Sequence, residues 1–172
     1  DDAFAGDVVG LVGNYDLLIG DTLSSTPGVV FDEIPRFAPE CFSFHHNKST
    51  AKYRRFRDGL QQLLKEGVAS EFQLLDAGPT QVPLLGAVGP LQFEVLQHRL
   101  DGEYAAETRL EGANWSIARW LKPKSGDPMA PEARPALSLG ATLARDSNGW
   151  LVGLLPSEWA LKTFVDKNED WE

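Results

Sequence analysis

The chain has 172 residues, a single cysteine, and a net charge of −9 from 16 basic and 25 acidic side chains. With 42% hydrophobic and 24% charged residues it carries enough apolar material for one ordinary domain core. A lone Cys41 excludes an intrachain disulfide and a multi-thiolate metal site, and no apolar run approaches the ~20 residues of a membrane span.

No basic start running into an apolar core marks a signal peptide. The chain opens at Asp1 on two short apolar runs, Val8 to Val12 and Leu17 to Ile19, around the turn sequence GNYD. An isolated hairpin is marginal in water, so these strands are expected to close a domain whose earlier part lies outside this sequence. The turn-rich SSTPGV predicts a boundary near residue 28.

In RFAPECFSFHH, phenylalanines 42 and 44 alternate with Cys41, Ser43 and His45, the period of a strand. His45 and His46 then point to opposite faces, one packed and one exposed, rather than holding one metal ion. Ser49 or Thr50 is placed to cap a helix whose stripe is Tyr53, Phe56, Leu60, Leu63 and Leu64, closed by Gly67. VASEFQLL predicts a second strand and QVPLLGAVG a third, with Pro83 at an irregular start. Pro90 opens a second helix with Leu91, Phe93, Val95, Leu96 and Leu100 as its apolar face, ending at Asp101–Gly102. One long strand is expected over residues 107–121, with Trp115, Ile117 and Leu121 on one face and Trp120 opposite.

Strand, helix, strand, strand, helix, strand is the split βαβ order of an α+β, ferredoxin-like sandwich, here over residues 29–121. Two helices cover one face of its sheet and leave the other free for a partner. Residues 122–135 hold four prolines and predict a linker. Residues 136–172 predict a hairpin around DSNG and a helix capped by Ser157 carrying Leu161, Phe164 and Val165, docked on the sandwich. Tryptophans 115, 120, 150 and 159 are expected in or at the edge of the core.

The charge is unevenly spread. Lys48, Lys52, Arg54, Arg55 and Arg57 crowd ten positions without an acid, at the start of the first helix. Exposed cations near a helix N-terminus are disfavoured by ~0.3–1 kcal/mol each, so the fold alone would not select them. A phosphate backbone outside the chain is one account. Solvated side chains paired with acids from elsewhere in this acidic chain are the other. The acidic flanks argue against a general nucleic-acid binder.

A second candidate is GAVGPL, where Gly86 and Gly89 precede a helix and could offer amides to an anion. Pro90 removes one N–H and no lysine follows, so a tight strand-to-helix turn is the better reading. The pairs Asp32–Glu33 and Glu169–Asp170 lack a histidine or nucleophile beside them and read as surface, leaving no catalytic residue to name.

Two motif groups carry a resemblance. AGDVVGL followed by LLIGDTL is similar to the end of the β-barrel second domain of translational GTPases. Within them, IPRFAPECF, LLGAVGPLQFEVLQHRL and ARW resemble the peptide chain release factor 3 family, from Gly6 to about Phe164. The resemblance implies a cytoplasmic protein that binds GTP or GDP with magnesium through an N-terminal domain, acts on the ribosome, and speeds departure of class I release factors. It makes residues 1–28 the last strands of the barrel and the basic cluster a ribosome contact. No G-x-x-x-x-G-K-[ST] loop occurs, so this stretch itself is expected to hold no nucleotide, cofactor or metal. An elongation factor G relative, or a free-standing ferredoxin-like enzyme, are the alternatives.

Overall fold

A computed structural model describes residues 2–13, 17, 19–32, 37–78, 82–125 and 134–172. The chain divides into two compact units, Asp1–Ile34 and Pro35–Glu172. In the first, no described residue is in a strand. Val8 to Val12, expected as one, is unpaired, with Val8 and Val12 fully exposed. A strand persists only when a neighbour takes up its hydrogen bonds, and none of the described residues here does so. Residues 14–16 of the expected turn, and Leu18, lie outside the described residues.

The second unit runs β1 (Cys41–Asn47), α1 (Tyr53–Lys65), β2 (Ser70–Leu74), β3 (Leu84–Ala87), α2 (Pro90–Tyr104), β4 (Thr108–Gly112), β5 (Ile117–Trp120), β6 (Thr142–Asp146), β7 (Leu151–Leu155) and α3 (Glu158–Lys167). It is an α+β unit whose antiparallel sheet has the order β4-β1-β3-β2-β6-β7-β5. Among the described residues no helix is long and apolar enough to cross a membrane.

The long strand expected over residues 107–121 is two strands at opposite ends of this order. The chain turns after Gly112, where the Ala113 N–H donates to the Phe42 carbonyl, and re-enters where Ser116 N–H reaches the Leu155 carbonyl. Trp115 consequently packs with the Phe42 cluster, whereas Ile117 and Leu121 pack beneath α3. The alternation of apolar residues runs through the break and conceals it.

That break shapes the sheet. Seven flat strands at about 4.8 Å spacing would hold their outer members roughly 29 Å apart. Residues 113–116 reach at most about 17 Å. The sheet must curl until its ends approach. Its inner face buries Phe42, Phe72 and Leu84 against Ala118, Ala144, Val152 and Leu154, with the Phe42 and Phe72 rings edge-on at 5.6 Å. The face expected to stay free for a partner is therefore covered by β5, β6 and β7.

The outer face carries the helices. Phe56, Leu60 and Leu63 of α1 and Phe93, Leu96 and Leu100 of α2 close over Leu85 and Ala87. Gly67, at φ 73°, ends α1 in the left-handed conformation that glycine adopts freely. Leu91 and Val95, expected in the α2 stripe, are exposed, because only one side of that helix meets the sheet. The helix passes Asp101–Gly102 and ends at Tyr104, capped by Ala105.

Ser157 Oγ accepts from the Ala160 N–H and starts α3, which packs Ala160 and Phe164 on β5–β7 and leaves Val165 and Trp159 exposed. Trp159 thus stands outside the core, while Trp115 is half-buried and donates to the Gly140 carbonyl. Asn168 mimics a strand edge, accepting from Ala136 N–H and donating to the Ala136 and Phe164 carbonyls. Part of the expected linker is also fixed: Lys122 and Lys124 amides donate to the Glu172 and Asp170 carbonyls. Residues 126–133 of it lie outside the described residues.

Two positions test the packing. A Cβ on Gly86 would lie 2.7 Å from Phe72 and 2.9 Å from Phe42 and Pro39. Gly86→Ala should lower stability by about 1–3 kcal/mol in urea unfolding, and an unchanged midpoint would refute the close approach. His45 is fully buried against Phe93, 5.4 Å between ring centres, and burial, with a smaller push from His46, lowers its pKa to about 4. The unfolded chain takes up a proton near pH 6.5 that the fold refuses until about pH 4. Stability is thus complete above pH 6.5 and falls towards pH 4, by roughly 2 kcal/mol at pH 5. His45→Leu should show a smaller drop in Tm between pH 7.5 and 5 than the parent.

Candidate nucleic-acid interface

The basic stretch lies between β1 and α1. Asn47 shapes its entry, its amide nitrogen donating to the Ser49 carbonyl at 2.6 Å and its oxygen accepting from the Ser49 N–H at 3.3 Å. A 3₁₀ turn, Thr50–Lys52, then leads into α1. The side-chain cap expected from Ser49 or Thr50 is not made, and the first turn of α1 holds no acid. Neither carboxylate nor hydroxyl offsets the positive end of the helix.

The structure separates the five cations into three settings. Lys48 lies against the sheet edge, with its ammonium 3.6 Å from Glu107. Arg54 projects from the helix with a 95% exposed side chain and only a long 3.8 Å pairing to Asp58. Exposed Arg55 and half-buried Lys52 make no ion pair among the described residues. Exposed pairs of the Arg54–Asp58 kind contribute little, about 0.2–1 kcal/mol, so the helix tip is close to an uncompensated cationic knob.

Arg57 is apart from them. At 100° per residue it falls on the same flank as Tyr53 and Gln61, and this flank walls a cleft of about 450 Å³. The floor is Glu71 and Gln73 of β2, and the far wall is Arg145, Asp146 and Ser147 at the end of β6. β6 pairs with β2, Gln73 opposite Arg145, and this brings Arg145 to the cleft. Its guanidinium also donates to the Gly149 carbonyl of the following turn. Asp146 is committed locally, accepting the amides of Asn148 and Trp150 and the indole N–H of Trp120. The basic cluster was visible as charge in the sequence. Arg145 was not, because only a long-range strand pairing places it beside Arg57.

The Gly86–Pro90 candidate is a turn. Gln92 folds back so that its side-chain oxygen accepts the Val88 and Gly89 amides at 2.8 and 3.1 Å, and its nitrogen donates to the Val68 carbonyl at 3.0 Å. The amides an anion would need are taken. Of the acid pairs, Asp32, Glu169 and Asp170 are exposed, and Glu33 lies outside the described residues.

Elsewhere Arg99 bridges the two helices, bonded to Glu103 one turn on and to Glu66 at the end of α1. The guanidinium's hydrogen bonds hold both carboxyls below the usual carboxylate range. This tie is structural, and none of its three residues lines the cleft.

Residues 31–165 match the family described as Class II release factor RF3, C-terminal domain. Relatives named Peptide chain release factor 3 include those of Listeria monocytogenes, 38% identical over 173 residues, and Symbiobacterium thermophilum, 36% identical over 168. These alignments cover 99% and 98% of this chain and 31% of each relative. A Synechocystis relative of the same name is 42% identical over 121 residues, 70% of this chain and 22% of its own length. The chain thus spans under a third of the length of these relatives. By this match, which takes in every strand and nearly all of α3, the chain belongs to the class II release factor RF3 family, in its C-terminal domain.

Proposed function

We propose that the chain is the ribosome-contacting C-terminal region of a peptide chain release factor 3, a GTPase that promotes departure of class I release factors from the ribosome in translation termination. In this reading GTP or GDP, with magnesium, is held by an N-terminal domain outside the present sequence, and the protein works in the cytoplasm. Residues 1–28 are the last strands of a β-barrel whose other strands supply the missing partners of Val8 to Val12. The β1-α1-β2-β3-α2-β4 portion, with strand order β4-β1-β3-β2, is a ferredoxin-like unit, and the segment 136–172 is docked on it.

The observation that carries the proposal, beside family membership, is the cationic tip of α1. Lys52, Arg54 and Arg55 stand at the positive end of a helix without capping acids, in a chain of net charge −9. Fold stability does not select that arrangement. Ribosomal RNA does, since each neutralised phosphate releases counterions. The mechanism is mechanical and electrostatic. A curled sheet with helices on its outer face gives a stiff body, the cations set where it rests on RNA, and the nucleotide-binding part sets its position.

In the full-length protein, Arg54→Glu with Arg55→Glu should weaken ribosome binding by roughly tenfold near 100 mM salt and flatten its dependence on salt. Thermal stability should stay the same or rise slightly, because acids suit a helix N-terminus. Equal affinity of parent and variant across the salt titration would remove RNA contact from this helix.

A further inference from the structure

The cleft beside the cationic tip has features that backbone neutralisation does not use. Tyr53 is 55% exposed, its ring set at 44° to that of Phe56, 6.3 Å between centres, so one aromatic face is open to a ligand. Gln61 on the α1 wall and Gln73 on the floor line it with amide-bearing side chains, and Arg57 and Arg145 with guanidinium-bearing ones. A volume of about 450 Å³ suits one small planar group. An opposing charge is present too: Glu71 on the floor lies beside Arg57 of the α1 wall, whereas the Asp146 carboxylate, on the strand face shared with Phe72, is bound by three donors. Glu71 offsets Arg57 and Arg145 is held by the Gly149 carbonyl, so the cleft is only weakly positive, and most of the uncompensated charge lies just outside, on Lys52, Arg54 and Arg55.

A weakly charged, amide-lined cleft with an exposed aromatic ring, next to a cationic ridge, matches an unpaired nucleotide better than a duplex. Stacking needs a free base face, amides read base edges, and phosphates need cations outside the cleft. We infer that the cleft between α1 and the β2–β6 pair receives one unpaired RNA base, stacked on Tyr53 and flanked by Arg57 and Arg145, while the adjoining phosphates lie along Lys52, Arg54 and Arg55. This inference rests on the proposed ribosome contact and narrows it to single-stranded RNA.

The test is fluorescence anisotropy of the full-length protein with a labelled single-stranded RNA 12-mer and the same 12-mer in a duplex. Tyr53→Ala should weaken single-strand binding roughly five- to tenfold, leave duplex binding unchanged, and leave the salt slope unaltered. Tyr53→Phe should restore binding, since the phenyl ring still stacks, and Arg145→Gln should weaken the single strand alone. Arg54→Glu with Arg55→Glu should instead lower both affinities and flatten the slope. If Tyr53→Ala binds single strands like the parent, or the parent does not prefer single strands, the cleft takes no base and the inference falls. The ribosome reading then still stands if the double glutamate variant loses ribosome affinity. If that variant also binds ribosomes normally, both fall.

Discussion

Burial of one apolar surface sustains this unit: the side of β1, β2 and β3 turned away from α1 and α2. Phe42, Phe72 and Leu84 would otherwise face water, and each large side chain so covered is worth about 1.5–3 kcal/mol. Val152, Leu154, Ala144 and Ala118 supply the cover, and they belong to strands that also extend the same sheet. The two halves therefore share a core and a hydrogen-bond ladder. Gly86 of β3 sits between the flanking strands β1 and β2, the place of its side chain filled by two aromatic rings and Pro39.

With the inner face sealed, whatever this unit offers to others lies on its outer surface. The helix ridges there are mostly of mixed charge, and Arg99 ties α1 to α2 through two carboxylates. The exception is the first turn of α1, where cations gather without a cap or acid. The same helix supplies Tyr53 and Arg57 to the cleft, so one rigid element carries both the ridge and one wall. Their spacing is then fixed by helix geometry rather than by loops.

Much of this was legible in the residues. β1, α1, β2, β3 and α2 announce themselves by local periodicity, and Gly67 stops α1 where its composition says it should. The basic cluster needs no fold to be seen. What escaped depends on distant partners. The alternation through Ala113–Ser116 keeps the phase of one strand, although the chain there leaves one end of the sheet for the other. The pairing of Phe72 with Asp146 has no local signature, so neither the covering of the sheet nor the arrival of Arg145 could be read. Likewise, the apolar runs near the start look like strands by composition, yet pairing needs neighbours that the described residues do not provide.

The short span from Gly112 to Ile117 imposes an order on biosynthesis. As the polypeptide leaves the synthesising machinery from its amino end, everything through β4 can assemble first, because those strands pair among themselves. Its phenylalanine-rich underside is then only partly covered, first by β6 on β2, until Leu155 has emerged and β7 can receive β5. During that interval the nascent chain exposes apolar surface of the kind that promotes aggregation.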